Sequence, residues 1–342
     1  MGRVRKPLTR RRLLGWCAIF AVALLAALVL GASWGAGEAS LLGLLAGRPM
    51  EAVQRTILLD VRIPRVLMAA VLGGSLSVAG VAFQAILRNP LADPYVLGVS
   101  GGASIGGVVA LLAGLGSGAA ASVGVPACAF LGAVGALVLI EQIATIGGRL
   151  TVYSLLLTGA IFNAFSGALI YFIQSLASLE ELHEIVFYLM GRIPSAGYGT
   201  VSALGLVGAG GTVALWSMAR DFNTLSLGEE GAAQLGVGVE SVKRRTFVLG
   251  SLLTALSVSV AGLVGFVGLV VPHLLRLLLG PDHRLLLPAA FLGGAGFLVL
   301  ADLGARLLLA PNEMPVGVVT ALIGGPFFLY LLRRGKGGYG FA

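Results

Sequence analysis

"LLGWCAIFAVALLAALVLGASW", Leu13–Trp34, is an apolar run behind a basic arm, MGRVRKPLTRRR. A secretory signal also begins with basic residues, but its apolar core ends after roughly 7–15 residues, whereas a helix needs about 20 to cross the hydrocarbon of a bilayer. The run is long enough to span. It is therefore read as an uncleaved first membrane helix with residues 1–12 as a basic arm, and the same length argument demotes the arginine cluster as a twin-arginine signal.

The rest of the chain is of the same kind. Of 342 residues, 57 % are hydrophobic and only 11 % charged, and the mean hydropathy is +0.98; a soluble domain gives about a quarter of its residues to charge. Long apolar runs between short polar breaks favour helices, since barrel strands alternate in segments of roughly ten. Such runs fall at about Leu13–Trp34, Arg65–Leu87, Tyr95–Leu115, Val125–Ile146, Ser154–Leu176, Val201–Ala219, Thr246–Phe266, Leu269–Leu279, Leu287–Leu307 and Val316–Leu332. This predicts an all-α polytopic membrane protein: one transmembrane domain over residues 1–342, with about ten membrane helices, the eighth short.

An even number of spans places both termini on one side. With that side cytoplasmic, the Lys and Arg distribution leaves outside only Arg48, Arg55, Arg62, Arg65, Arg192 and Arg306, as the positive-inside rule requires. The pI of about 10.0 then reflects basic loops on one membrane face and calls for no nucleic acid. Cys17 and Cys128 lie in apolar runs, and His183, His273 and His283 lack ligand spacing, so neither residue type points to a metal site. The chain has no G-x-x-x-x-G-K-[ST], G-x-S-x-G or H-E-x-x-H. It is expected to bind no nucleotide or cofactor and to catalyse nothing itself.

Small residues at helical spacing (Gly98, Gly102, Gly106; Gly73, Ser77) predict close helix crossings. In "LLLTGAIFNAFSGALIYFIQS", Asn163, Ser166 and Gln174 share one helix face, which fits either a polar translocation path or hydrogen bonding between helices. In "RNPLADPYVLGVSGG", Pro90 and Pro94 break the helix at the inner membrane surface, making Asn89, Leu91 and Asp93 a candidate gate beside a plain turn as the alternative. Arg62, Arg65 and Arg306 stand at outer helix ends, suited to snorkelling or to docking an acidic partner. "SLGEEGAAQLGVGVESVKRR", Ser226–Arg245, is a polar island. Its Ser226 and Glu229 have capping-box spacing, Gly236 is a helix stop, and a second short helix from near Val239 would end in Lys243-Arg244-Arg245. Residues 221–245 are thus expected to form two short cytoplasmic helices that expose Leu227, Ala232, Ala233 and Leu235 to a partner protein. An ion- or proton-coupled secondary transporter is the competing class; it would need a buried carboxylate, and Glu141 and Asp302 lie near helix ends.

"RNPLADPYVLGVSGGASIG", "LGEEGAAQLGV", "GLVGFVGLVVPHLLRLLLGPDHRLLLPAAFLGGAGFLVLADLGAR" and "NEMPVGVVTALIGGPFFLYLLRR" resemble the FecCD family, the permease subunits of type II ABC importers for iron–siderophores, haem and cobalamin. The match runs from about Arg62 to Arg334. The resemblance implies a homodimeric ten-span permease of the cytoplasmic (inner) membrane. Two ATPase subunits would carry ATP and Mg, and a periplasmic or extracellular solute-binding protein would deliver cargo, a ferric siderophore first and haem or cobalamin next. It further implies that Ser226, Leu227, Glu229, Glu230, Ala232, Leu235 and Gly236 form the ATPase-coupling helices. Arg62, Arg65 and Arg306 would meet glutamates of the binding protein, Asn89 and Leu91 would form the cytoplasmic gate, and Thr151 stands where cobalamin importers carry a further gate of small hydroxyl residues. The polar stripe itself, independently of the resemblance, makes Asn163, Ser166 and Gln174 the expected path residues.

Overall fold

In the computed structural model the structure describes residues 9–35, 40–47, 50–116 and 123–335; residues 1–8 of the basic arm lie outside them. Helix α1 (Arg10–Ser33) starts at Thr9, whose side chain accepts the Arg12 N–H. A short α2 (Leu41–Leu45) and α3 (Ala52–Thr56) follow, and α3 runs through a π-helical turn, Ile57–Arg62, into α4 (Ile63–Ile86). The turn ends two residues before Pro64, which has no N–H for the Asp60 carbonyl, and the Ile63 N–H reaches back five residues to Leu58. Sequence pattern started this span at Arg65; the wide turn lets the helix continue outward past the proline.

Every residue of α4 from Leu72 to Ile86 is buried, so α4 is the column around which α1, α9 (Tyr198–Ser217), α12 (Val239–Ala261), α13 (Val267–Leu279) and α14 (His283–Leu307) pack. Its small residues make this possible. A Cβ on Gly73 would strike the Gly294 carbonyl of α14 (His283–Leu307), and one on Gly294 would strike Gly73 and Ser77. Gly102 and Gly106 of α5 (Val99–Leu112) meet Gly132 and Cys128 of α6 (Gly124–Ala144) in the same way. Backbones approach to contact where lipid supplies no hydrophobic drive between helices.

α6 ends at Ala144, two residues short of the predicted span. The chain there turns through a hairpin, β1 (Thr145–Ile146) against β2 (Arg149–Leu150), with Gly147 and Gly148 at φ +59° and +78° as a two-residue hairpin turn requires. Next come α7 (Val152–Leu176) and the short amphipathic α8 (Leu179–Met190), then α9 (Tyr198–Ser217), α10 (Ala219–Leu225), α11 (Glu229–Gln234), α12 (Val239–Ala261), α13 (Val267–Leu279), α14 and α15 (Val316–Gly335). Each of the ten predicted runs coincides with a helix, and among the described residues six helices are both long and apolar enough to cross a membrane. The outer helices show large apolar side chains on the surface, among them Leu14, Val22 and Leu25 of α1 and Ile161, Phe165 and Phe172 of α7, as helices bathed in lipid do.

Candidate functional site

The polar island follows α10 directly and folds as that helix's cap, Ser226, then α11 and the first two turns of α12. Its capping differs from the expected pattern. Ser226 closes α10, its hydroxyl donating back to the Asn223 carbonyl at 2.6 Å, and α11 begins at Gly228 with no side-chain cap. Capping boxes lie elsewhere, at Glu51 and Gln54 before α3 and at Ser178 and Glu181 before α8, where the Ser178 N–H donates to Glu181 at 2.8 Å and the Glu181 N–H to Ser178 at 3.4 Å. Gly236 does stop α11: at φ +85° it lets Val237 and Gly236 donate to the Ala232 and Ala233 carbonyls, a Schellman closure. No second short helix follows. The helix beginning at Val239 continues to Ala261, so Lys243, Arg244 and Arg245 lie in its second turn rather than at a C-terminus.

The surface of this elbow is therefore smaller than expected. Leu227 and Leu235 are 69 % and 67 % exposed and flank Glu230 and Ala233, also exposed, while Ala232 is fully buried and anchors α11. Glu229 turns inward, its carboxylate 2.8 Å from Lys243 Nζ. Exposed leucines beside an exposed carboxylate make a patch suited to another protein.

The second site is a cleft of about 350 Å³ lined by Asp93, Tyr95, Val96, Asn163, Gly265 and Phe266. α4 ends with Arg88 at φ +48°, where the Asn89 N–H reaches the Gln84 carbonyl and the Arg88 N–H that of Ala85, the same closure built without glycine. Asn89 then accepts the Leu91 N–H at 2.9 Å, and Asp93 caps the 3₁₀ turn Pro94–Leu97 by accepting the Tyr95 N–H at 2.8 Å. Burial pushes the Asp93 carboxyl up to about 6, against the lowering effect of backbone N–H groups from Tyr95 and Phe266. Across the cleft, the Val264 N–H donates to the Tyr95 hydroxyl at 2.9 Å and Asn163 Nδ2 to the Tyr95 carbonyl at 2.8 Å.

Asn163 is thus the member of the polar stripe that reaches the cleft. Ser166 is buried and donates to the Phe162 carbonyl of its own helix at 2.7 Å, and the backbone of α5 at Gly101 closes over both side chains. Gln174 lies partly buried three turns beyond Asn163. Leu91 is 38 % exposed, and Thr151 caps α7, accepting the Ser154 N–H at 3.1 Å; neither lines the cleft.

At the opposite end of α4, Asp302 of α14, with no solvent exposure, receives Arg65 at 2.9 Å and Arg306 at 3.0 Å. Arg65 also meets Glu313 at 2.8 Å. Arg306 donates to the Gly31 and Trp34 carbonyls, and Arg62 to that of Ala32, placing cations on the C-terminal end of α1 where its dipole is negative. Arg62 and Arg306 are only 5 % and 6 % exposed, so these arginines clamp α1, α4 and α14 together, and Arg65 and Glu313 form the outward part of the cluster. Glu141 likewise pairs with Arg244. Both carboxylates named for ion coupling are thus held by arginines. Asp302 four residues before Arg306 was legible as a helical ion pair, and Asp93 directly before Pro94 as a turn cap. The pairing of Glu229 with Lys243 had no such signal.

Among the described residues no group of His, Cys, Asp and Glu is arranged to hold a metal, and both cysteines are free. A bundle of membrane helices about one buried column, with a structured polar elbow at one end, defines a transport permease. The chain belongs to the FecCD transport family, whose pattern matches residues 19–334. It is 44 % identical to an uncharacterized ABC transporter permease protein of Bacillus subtilis, over 82 % of this chain and 80 % of that one. It is 42 % identical to the cobalamin import system permease of Halobacterium salinarum, over 80 % and 72 %, and 40 % identical to the hemin transport system permease of Yersinia pestis, over 81 % and 83 %. The fold matches that of a solved metal-chelate type ABC transporter in an inward-facing conformation, with TM-score 0.81 and 30 % identity over 94 % of this chain and 99 % of that one. The fold is that of a type II ABC importer permease.

Proposed function

We propose that this chain is the membrane-spanning subunit of an ATP-driven importer of a large metal chelate, a ferric siderophore first among them, working as a homodimer in the cytoplasmic (inner) membrane with both termini inside. Two copies of a separate ATPase seat on α10 and α11, and a solute-binding protein outside delivers the cargo. The observation that carries this reading is the exposed patch of Leu227, Glu230 and Leu235 on a rigid elbow, in a chain of this family without a phosphate-binding loop of its own. Relatives named for cobalamin, hemin and iron chelatin support a cargo among bulky chelates. The Asp93–Tyr95–Asn163 cleft, with Asn89, Leu91 and Thr151 near its helix ends, belongs to the inner gate and path. Arg65 and Glu313 form the docking face outside, backed by Arg62 and Arg306.

The test is reconstitution with the cognate ATPase in proteoliposomes. Leu227→Asp with Leu235→Asp abolishes ATPase association and ATP-driven uptake; unchanged uptake rejects the assignment. Tryptophan-quenching titration of the binding protein with ferric siderophores, haem and cobalamin identifies the cargo, and a preference for haem or cobalamin over ferric siderophores rejects the cargo named here.

A further inference from the structure

The adjacent carboxylates Glu229 and Glu230 look interchangeable in sequence and are not in space. A helix turns by about 100° per residue, so on the six-residue α11 one faces solvent and the other faces Lys243. Lys243 is buried, its side chain 7 % exposed, and its ammonium joins three elements: Glu229 of α11 at 2.8 Å, the Leu150 carbonyl of β2 at 3.1 Å and Glu240 of its own helix at 3.9 Å. Glu240 completes the junction by accepting the Leu150 N–H. Both backbone polar groups of Leu150 are thereby held by α12, and the next residue, Thr151, caps α7. On the other side of the hairpin, Arg244 grips Glu141 near the end of α6.

We infer that Lys243 is a positioning residue that latches α11 to the β1–β2 hairpin, so that Glu229 transmits displacement of the elbow to the heads of α6 and α7 while Glu230 makes the intermolecular contact. The proposal rests on the reading of α10 and α11 as the ATPase seat. An ammonium is well suited to such a latch, because it carries three donors: it meets the Glu229 carboxylate and the Leu150 carbonyl directly, with the Glu240 carboxylate as a further counter-charge, and charge-assisted contacts are stronger than neutral ones. A loop merely packed against α11 would slip when the elbow moved. This hairpin is held by both polar groups of Leu150.

The experiment uses the full permease reconstituted with its ATPase. Glu230→Arg weakens association of the two proteins. Lys243→Met and Glu229→Gln leave association intact, yet raise the ATP hydrolysed per molecule imported about tenfold, within the usual span of coupling energies, and Lys243→Arg restores the ratio. Hydrogen exchange at Leu150 gives a second readout: ATPase binding slows it in the wild type and not in Glu229→Gln. Should Lys243→Met fail to fold, the milder Glu229→Gln still decides. Wild-type coupling and wild-type protection in Glu229→Gln overturn the latch, as does loss of association equal to that of Glu230→Arg. Failure of the unaltered permease to bind the ATPase overturns the underlying seat assignment instead.

Discussion

Gly80 of α4 and Gly268 of α13 meet backbone to backbone, the Gly268 carbonyl standing where a side chain at position 80 would begin. That carbonyl also accepts a bond from Gln84 at 3.3 Å, so it cannot move aside freely. Gly80→Ala therefore forces the two helices apart and costs at least the 1–3 kcal/mol or so of an overpacked core. Gly135 of α6, with nothing within 4 Å of its missing side chain, is the control: Ala there gains about 1 kcal/mol of helix propensity. Thermal unfolding in detergent should move in opposite directions for the two variants.

The arginine clamp predicts an asymmetry between its two carboxylates. Asp302→Ala leaves Arg65 and Arg306 without their shared buried counter-ion and should destabilise by about 3–5 kcal/mol, as breaking a buried pair does. Glu313→Ala, at a side chain 47 % exposed, should cost no more than about 1 kcal/mol. Equal losses of thermal stability would show that the cluster is solvated.

Tyr95→Phe removes the hydroxyl that accepts the Val264 N–H and nothing else. A part-buried N–H is stranded in the turn between α12 and α13, a loss of about 1–3 kcal/mol. Faster hydrogen exchange at Val264, with exchange in α4 unchanged, is the expected signature.

Acid should act at the turn between α13 and α14. The Arg284 guanidinium holds the Asp282 carboxyl down at about 2, from an ordinary 3.8, with help from Asn223. A folded-state value below the unfolded one means stability that is complete above the ordinary value and drains away as pH falls from 3.8 toward about 2. Asp282→Asn removes this component, so the gap in melting temperature between wild type and variant should close across that range.

The spans were legible because each needs only apolar length, and lipid enforces that requirement one helix at a time. Turn chemistry was legible where one residue decides it, as Gly236 does. Ser226 misled because a capping box is a statement about where a helix begins, and α10, unseen in the pattern, ends there. The buried state of Ala232, Arg62 and Arg306 was out of reach for a related reason: periodicity gives a helix its faces, but only the partners in space say which face is covered. Glu229 and Lys243 stand fourteen positions apart, and no local rule joins them.

The π-turn at Ile57–Arg62 acts as a buffer of register. It takes one residue more than an α-helical turn into nearly the same rotation, where each residue of an α-helix would carry about 100°. Deleting one position between Ile57 and Arg62 would let the rod close as plain α-helix, with Ala52–Thr56 kept nearly in phase with Arg65 and the column below. A one-residue gap here is therefore absorbed, whereas the same gap within Leu72–Ile86 would rotate everything outward of it by about 100°.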